Sequence, residues 1–229
     1  MVSEKDFTKP DPKDLITTDE YIRAWQQRVG EVTAHLKFHE QCLPKEILYN
    51  EFEKGCFGND FNKKSVVDFG CGGGLFAEWL LHRYSPKEFT GYDIAFRSIA
   101  AAVERLQETS LERLAGFYII PPDAFDVIRN LYTDYFVCFS VIQHFPDIAY
   151  FNNFFQALNS AGIKKLLLQI RHGGKTEFRE EPYKTTHDIA NACRTNAGEL
   201  KKLLTNYRLT GKSAIDKKSK YQYLEFEKI

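Results

Sequence analysis

A short glycine-rich segment directly after an apolar run constrains the fold of this chain more than any other feature. The run Ser65-Val66-Val67-Asp68-Phe69 predicts a buried strand, and Gly70-Cys71-Gly72-Gly73-Gly74 follows it at once. A helical pattern then begins at Leu75. Glycines between a strand and a helix allow a sharp turn and let a ligand approach the backbone closely. We therefore expect this loop at the ligand-binding edge of an open α/β sheet.

Strands and helices are predicted to alternate along the rest of the chain. After the first strand, further strands are predicted near residues 88–93, 116–120, 135–140, 164–170, 207–214 and 221–228. Helical patterns fall between them, at about 75–84, 96–107, 122–130, 148–160 and 196–205. Such alternation implies right-handed crossovers and a parallel sheet covered on both faces. The last two strands alternate in polarity and predict an antiparallel pair.

The composition is that of an ordinary globular protein. The chain has 229 residues, and its 31 basic and 31 acidic residues cancel. This balance argues against a nucleic-acid coat or a polybasic membrane binder, and no apolar stretch approaches the roughly 20 residues of a membrane span. The five cysteines are scattered without a Cys-x-x-Cys pair, and no signal pattern is present at residue 1. We therefore predict reduced thiols and a cytoplasmic location.

The sequence predicts two regions. Residues 1–59 contain a charged, proline-bearing arm and two helical stretches, which we interpret as a helical cap. Residues 60–229 form the α/β domain, in which a polar insertion makes residues 170–195 a candidate substrate lid. His35 and His39 are four residues apart, but the sequence places no third ligand beside them, so we predict no metal site.

Two common glycine-loop chemistries do not fit this loop. A phosphate-binding P-loop needs Lys and then Ser or Thr after its last glycine, whereas Leu75 and Phe76 stand there. The dinucleotide fingerprint needs a third glycine where Leu75 lies. The pattern present is acid-x-Gly-x-Gly-x-Gly, whose acid would repel a pyrophosphate but would suit a cationic amino group.

The pattern Asp68-x-Gly70-x-Gly72-x-Gly74 resembles the signature of class I S-adenosylmethionine-dependent methyltransferases, and the resemblance covers about residues 60–228. It implies a Rossmann-like, doubly wound, seven-stranded, mostly parallel sheet with an antiparallel last strand and helices on both faces. It also implies that S-adenosyl-L-methionine is the cofactor. The expected reaction is in-line methyl transfer to an N or O atom of a small molecule, as in small-molecule members with an N-terminal helical cap.

The resemblance also implies roles for individual residues. Asp68 would anchor the amino group of the cofactor, and Asp93, which is 21 residues after Gly72, would hold the ribose hydroxyls. Asp123 and Ala124 would meet the adenine ring, with Asp126 and Phe125 as the respective alternatives. Further cofactor contacts are expected from the loop and from the ends of the second and fourth strands, at Gly70, Cys71, Gly72, Gly74, Ile94, Phe139 and Ser140.

Candidate acceptor residues come from three segments. His144, in the segment after the fourth strand, is the candidate catalytic base, or else it packs beneath the loop. Tyr21 and Trp25 lie four residues apart on a predicted helix, where they could cover the acceptor or simply pack. Arg171 and His172 follow the fifth strand and could bind an anionic acceptor, or else lie in a solvated loop.

Charge distribution gives the anionic acceptor some support. Residues 163–229 contain 15 basic and 8 acidic residues, whereas residues 1–162 contain 16 and 23. The segment Phe139-Ser140-Val141-Ile142 departs from the Asn/Asp-Pro-Pro-Tyr/Phe motif of many nucleic-acid amino-methyltransferases, and it lacks the acids typical of aminopropyl transferases. Open alternatives are an RNA- or protein-modifying methyltransferase and a non-catalytic binding protein. The sequence does not predict the oligomeric state.

Overall fold

The structure, a computed structural model, describes residues 45–109, 111, 115–179 and 192–229. In chain order the elements are α1 (Lys45–Cys56), β1 (Ser65–Phe69), α2 (Leu75–Arg83), β2 (Glu88–Asp93), α3 (Phe96–Glu108), β3 (Ala115–Ile119), α4 (Phe125–Arg129), β4 (Tyr132–Cys138), α5 (Ile148–Ser160), β5 (Gly162–Arg171), β6 (Glu177–Phe178), β7 (Cys193–Arg194), α6 (Ala197–Leu203), β8 (Tyr207–Lys212) and β9 (Tyr221–Lys228). A 3₁₀ turn, Ile142–His144, lies between β4 and α5.

Seven of these strands form one sheet in the order β3-β2-β1-β4-β5-β9-β8. β1 pairs in parallel with β2 and β4, β2 with β3, and β4 with β5. β9 runs antiparallel to both of its neighbours, β5 and β8. The predicted seven-stranded, mostly parallel sheet with an antiparallel last strand is confirmed. Strands β2 and β3 are added on one side of β1, whereas β4 and β5 are added on its other side. Such a switch point opens a crevice at the carboxyl ends of the strands.

Alternate residues of the central strands enter two separate apolar cores. Val66 on β1 and Leu167 on β5 pack on the face covered by α1 and α2. Val67 on β1 and Leu166 and Leu168 on β5 pack on the face covered by α5 and α6. Because successive side chains of a strand point to opposite faces, short continuous apolar runs serve both cores. The expected helices on both faces are confirmed.

The helix α5 illustrates how local sequence fixes an element. Its N-cap is Asp147, whose carboxylate accepts a hydrogen bond of 2.8 Å from the amide of Tyr150. Phe151, Phe154 and Phe155 follow at helical spacing and are each at most 1% exposed. The cap satisfies an amide at the helix start, and the aromatic face drives packing on the sheet. The observed bounds equal the predicted 148–160.

The region after β5 contains more structure than the sequence indicated. Strand β5 continues through Arg171, and β6 and β7 form a two-stranded antiparallel sheet. The amide of Thr195 donates to the carbonyl of Arg171 at 2.9 Å, so the end of β7 lies against the end of β5. Residues 171–179 and 192–195 are therefore tied to the main sheet by backbone pairing. Residues 180–191 lie outside the described ranges, and the role of this region as a lid stays a prediction.

Two other predictions touch the undescribed part of the chain. The arm and the first cap helix, over residues 1–44, lie there, so α1 is the described part of the predicted cap and the domain boundary at residue 59 stays a prediction. Cys42 also lies there, whereas Cys56, Cys71, Cys138 and Cys193 are free and buried. Across the described ranges, no helix is both long enough and apolar enough to cross a membrane.

Candidate functional site

The glycine loop joins β1 to α2 and is fixed to the end of β2. The amides of Gly70 and Cys71 both donate to the carbonyl oxygen of Tyr92, at 2.7 and 3.0 Å. The φ angles of Gly70, Gly72 and Gly74 are 76°, 53° and 76°. Residues with a side chain rarely adopt this left-handed region. The backbone path therefore requires glycine at all three positions.

These glycines differ in what surrounds them. A Cβ atom added to Gly70 would lie 2.1 Å from Val141 Cγ2, and one added to Gly74 would lie 2.9 Å from Ala102 Cβ. A Cβ atom at Gly72 would meet no heavy atom within 4 Å. Packing therefore excludes side chains at the first and last positions. The middle glycine faces open space in which a ligand can contact bare backbone.

Asp93, the last residue of β2, is held by the loop. Its Oδ2 accepts the amide of Gly72 at 2.9 Å, and its Oδ1 accepts the amide of Ala95 at 2.8 Å. Burial raises the pKa of Asp93 to about 6, although these two amides and that of Ile94 act against the rise. A carboxylate oxygen can accept two hydrogen bonds. Each oxygen of Asp93 is therefore oriented by the backbone and keeps capacity for a ligand hydroxyl.

Asp68 lies beneath the same loop. It is 3% exposed, and its Oδ2 has no hydrogen-bond partner among the described residues. Burial, with the nearby charge of Asp93 as a smaller contribution, raises the pKa of Asp68 to about 8. A buried acceptor without a donor costs about 1–3 kcal/mol. A cationic ligand group at this place would satisfy the oxygen and stabilise the ionised form.

An ion-pair network braces the loop from behind. Arg105 on α3 donates through Nε to the carbonyl of Gly73 at 2.8 Å and through Nη1 to Glu78 at 2.8 Å. Lys45 on α1 contacts the same carboxylate at 3.1 Å. Burial would raise the pKa of Glu78, but the hydrogen bonds and charges of Arg105 and Lys45 outweigh it and lower the pKa. Sequence reasoning missed Arg105, because its partners are about 30 residues away along the chain.

After the end of β4, Ser140 has a φ of 59° and is held by the buried side-chain amide of Gln169. Its amide and hydroxyl both donate to Gln169 Oε1, at 2.7 and 2.8 Å. Gln169 Nε2 donates to the hydroxyl of Tyr223 at 2.8 Å, and that hydroxyl donates to Glu51 at 3.2 Å. A left-handed serine carries a cost of about 1–2 kcal/mol, so this network over α1, β5 and β9 fixes the turn. Gln169 and Tyr223 carried no sequence signal.

Two residues that the sequence assigned to cofactor contact direct their side chains into the core. The ring of Phe139 is 9% exposed and packs edge-on against Phe76 at a centroid distance of 5.6 Å. The thiol of Cys71 is buried, and burial raises its pKa well above the ordinary range. Any ligand contact of these two residues would therefore come from the backbone. Ile94 is partly buried and packs against the core on the face covered by α5 and α6.

The segments after β3 and β4 supply the remaining cofactor-side and catalytic candidates. Asp123 is exposed, and Ala124 is partly buried just before α4. The alternative acid, Asp126, forms a 2.5 Å ion pair with Arg129. His144 ends the 3₁₀ turn, is 7% exposed, and donates its amide to the carbonyl of Val141 at 2.8 Å.

Basic residues lie at the carboxyl end of β5 and just after it. Arg171 is partly buried, and neither its Nε nor His172 Nδ1 has a hydrogen-bond partner within the described ranges. Burial lowers the pKa of Arg171, and the charges of Arg194 and Arg179 lower it further. Sequence reasoning found the first two residues but missed Arg179 and Arg194. These two approach β5 only through the small β6–β7 sheet.

The predicted site residues thus converge on one edge. The predicted site residues between positions 68 and 172 all lie at or just after the carboxyl ends of β1 to β5. Parallel strands bring these ends to the same edge of a sheet. Tyr21 and Trp25 lie outside the described residues. The part of the chain that the structure describes holds no group of three His, Cys, Asp or Glu side chains suited to a metal ion.

Comparisons with known proteins point to one family. Residues 67–163 match a family model described as a methyltransferase domain. A relative named ubiquinone biosynthesis O-methyltransferase, from Psychrobacter cryohalolentis, is 28% identical over 148 residues. That match covers 61% of this chain and 56% of the relative, so the chain spans little more than half of that protein.

Solved structures share the fold. An S-adenosylmethionine-dependent methyltransferase from Clostridium acetobutylicum is 12% identical, with a TM-score of 0.59 over 87% of this chain and 98% of that one. The magnesium protoporphyrin IX methyltransferase of Synechocystis, solved with S-adenosylhomocysteine, is 18% identical, with a TM-score of 0.58 over 94% and 88%. The chain thus contains a match to a methyltransferase domain over residues 67–163 and shares its fold with solved S-adenosylmethionine-dependent methyltransferases.

Proposed function

We propose that this protein transfers the methyl group of S-adenosylmethionine to an oxygen atom of a small molecule. The observation that carries the proposal is the pair of acids at the loop: Asp93 is oriented by the amide of Gly72, and Asp68 keeps a buried oxygen without a donor among the described residues. The oxygen acceptor is favoured over nitrogen because the relative from Psychrobacter is named an O-methyltransferase.

The residues present fit the cofactor. The open backbone at Gly72 leaves room for a ligand, and the two oriented oxygens of Asp93 match a vicinal diol. Asp68 offers a buried carboxyl to a cationic amino group. When bound, S-adenosylmethionine supplies an activated methyl group on a sulfonium.

The protein's own contribution is mainly alignment. The loop and the turn at Ser140 are both fixed by hydrogen bonds, so two sides of the crevice are rigid before a ligand enters. Holding two reactants in line can contribute up to roughly 7–11 kcal/mol to the barrier reduction in favourable cases. An oxygen nucleophile gains further from a base, because a hydroxyl must lose its proton. His144, on the turn after β4, is the proposed base.

An acceptor panel tests this proposal. Release of S-adenosylhomocysteine is measured with phenolic and amine acceptors, for the wild type and for His144→Ala. We expect turnover with a hydroxyl acceptor and a loss of kcat of about 100-fold in the variant, together with loss of the acid limb of the pH profile. His82→Ala, which changes an exposed histidine of α2, is the matched control and should leave kcat unchanged.

Other outcomes would overturn parts of the proposal. Turnover with amines alone would contradict both the oxygen acceptor and the role of His144 as a base. Turnover with RNA or protein alone would replace the small-molecule acceptor. Saturable binding of the cofactor with no transfer to any acceptor class would support a non-catalytic binding protein instead.

We also propose that the enzyme works in the cytoplasm. The four described cysteines, Cys56, Cys71, Cys138 and Cys193, are free and buried, which fits a reducing compartment. Fractionation of the source cells with detection of the protein in the soluble fraction is the corresponding test.

A further inference from the structure

Helix α1 is linked to two walls of the crevice, the glycine loop after β1 and the turn at Ser140 after β4. Its first residue, Lys45, belongs to the ion-pair network behind the loop, and Glu51 belongs to the hydrogen-bond network that holds the turn. The two residues are six positions apart, which separates them by about 9 Å along the helix axis. One helix thus reaches the segments after both strands that flank the switch point.

The path from Lys45 to the glycine loop passes through two side chains. Lys45 Nζ lies 3.1 Å from Glu78 Oε1, and Arg105 Nη1 donates to Glu78 Oε2 at 2.8 Å. Arg105 Nε donates in turn to the carbonyl of Gly73 at 2.8 Å. The side chain of Glu78 is only 8% exposed, and charge pairs that are partly buried are screened much less than pairs in water. The position of Lys45 therefore bears on the position of the loop.

The path from Glu51 to Ser140 also passes through two side chains. The hydroxyl of Tyr223 donates to Glu51 Oε2 at 3.2 Å and accepts from Gln169 Nε2 at 2.8 Å. Gln169 Oε1 accepts both the amide and the hydroxyl of Ser140. Tyr223 and Gln169 are both buried, and hydrogen bonds in such surroundings are stronger than in water.

Close packing seats α1 between these two paths. The ring of Phe52 lies edge-on to Phe76 of α2 at a centroid distance of 5.3 Å and stacks on Phe139 at 6.4 Å. A Cβ atom added to Gly55 would lie 2.6 Å from Phe139 Cζ and 2.7 Å from Tyr223 Cδ1. No side chain fits between this part of the helix and the segment after β4. Because close-packed interiors transmit strain, a displacement at one end of α1 is felt at the other.

We propose that Lys45 and Glu51 are positioning residues through which α1 couples the glycine loop to the turn at Ser140. This inference rests on the proposed function, since both walls belong to the crevice in which the cofactor and the acceptor would bind. Neither residue needs to touch a ligand, because each acts through the side chains that hold a wall. The coupling has a definite sign. Loss of either contact loosens the seat of the whole helix, so a second loss adds little.

A double-mutant cycle on S-adenosylhomocysteine affinity tests the coupling. Lys45→Met and Glu51→Ala are titrated singly and together by isothermal titration calorimetry. Each single variant should bind about fivefold more weakly than the wild type. The double variant should bind about fivefold to tenfold more weakly, whereas independent losses would multiply to about 25-fold. The matched controls, Lys64→Met before β1 and Glu53→Ala on α1, change exposed residues and should bind like the wild type.

Conservative variants separate positioning from a general loss of stability. Lys45→Arg keeps the positive charge, and Glu51→Gln keeps an oxygen that can accept from Tyr223. Both should bind S-adenosylhomocysteine within about twofold of the wild type. Thermal denaturation shows which variants are folded at the titration temperature. If Glu51→Ala is not, Tyr223→Phe takes its place in the cycle, since it removes the same contact from the other side.

Three results would overturn the inference. Wild-type affinity in both single variants would show that α1 positions neither wall. Losses that multiply to about 25-fold in the double variant would show that the two contacts act independently. A loss in Lys45→Arg as large as in Lys45→Met would rule out the charge of Lys45 as the cause. Failure of the wild type to bind S-adenosylhomocysteine counts against the proposed function, whereas wild-type binding with multiplying losses counts against this inference alone.

Discussion

The two ends of the crevice are built in opposite ways. At β1 and β2, a continuous loop gathers two acids, the buried Asp68 and the partly buried Asp93, around bare backbone. At β5 and β7, paired strands gather arginines, among them Arg171 and Arg194, from positions 23 residues apart in sequence. The first region offers carboxyl oxygens, which are hydrogen-bond acceptors, whereas the second carries guanidinium groups, which only donate. The two ends of the crevice therefore differ in the kind of ionisable group they carry, although the whole chain has no net charge.

The largest expected effect comes from removing the oriented acid of the first region. Asp93→Ala should weaken S-adenosylhomocysteine binding about 100-fold, equivalent to about 2.8 kcal/mol, because it deletes both oxygens offered to the ribose. Isothermal titration calorimetry measures the change. Glu88→Ala, which removes an exposed acid at the opposite end of the same strand, is the control and should bind normally. A loss below fivefold in folded Asp93→Ala would contradict the role of this residue.

The next effect separates backbone strain from ligand access. Gly72 and Gly58 both have positive φ, 53° and 71°, and a Cβ atom would meet nothing within 4 Å at either. Gly72→Ala and Gly58→Ala should each cost about 1–2 kcal/mol in the free energy of unfolding. Gly72→Ala alone should also weaken S-adenosylhomocysteine binding at least tenfold, because its methyl group would enter the ligand space. Equal affinity in both variants would place the cofactor elsewhere.

The raised pKa of Asp68 predicts a pH dependence with a definite sign. Its folded-state pKa of about 8 lies above its ordinary value of 3.8, so the folded protein binds more protons over this range. The free energy of unfolding of the ligand-free protein should therefore fall as pH rises from about 4 to about 8. Affinity for S-adenosylhomocysteine should rise over pH 6–8, approaching about tenfold per unit well below the pKa, because pairing with the amino group requires the ionised carboxylate.

A variant at the same position isolates this titration. Asp68→Asn cannot ionise, so its affinity should be low and nearly constant over pH 6–8, and the matching part of the stability change should disappear. Calorimetric titrations and urea denaturation at pH 6, 7 and 8 provide both readouts. If the wild type and the variant show the same pH profile, another group is responsible.

The smallest effect concerns the network that lies between the two regions. Tyr223→Phe removes the hydroxyl that accepts from Gln169 and donates to Glu51. We expect a loss of about 1 kcal/mol in the free energy of unfolding and a weakening of S-adenosylhomocysteine binding by two- to fivefold. Tyr132→Phe changes a tyrosine that is 83% exposed and should stay within about 0.5 kcal/mol of the wild type. Matching effects in the two variants would mean that the network does not hold Ser140.

Much of the fold could be read from sequence because its signals are local. The bounds of β1, β2, α5 and β9 follow from short apolar or helical patterns and agree with the structure. The predicted strand bounds are wrong where pairing with neighbouring strands decides where a strand begins and ends. β4 begins at Tyr132 rather than near residue 135, and β5 runs from Gly162 to Arg171, since neighbouring strands extend one another through their hydrogen bonds.

The sequence by itself determined the glycine loop, the acids at the ends of β1 and β2, and the family resemblance, because each depends on spacing within one strand-turn-helix unit. Only the tertiary structure decided that Arg105 braces Gly73, that Gln169 holds Ser140, and that Thr195 after β7 pairs with Arg171 of β5. These contacts join residues far apart in the chain. They arise from strand order and register, which bring distant side chains together and leave no local pattern in the sequence.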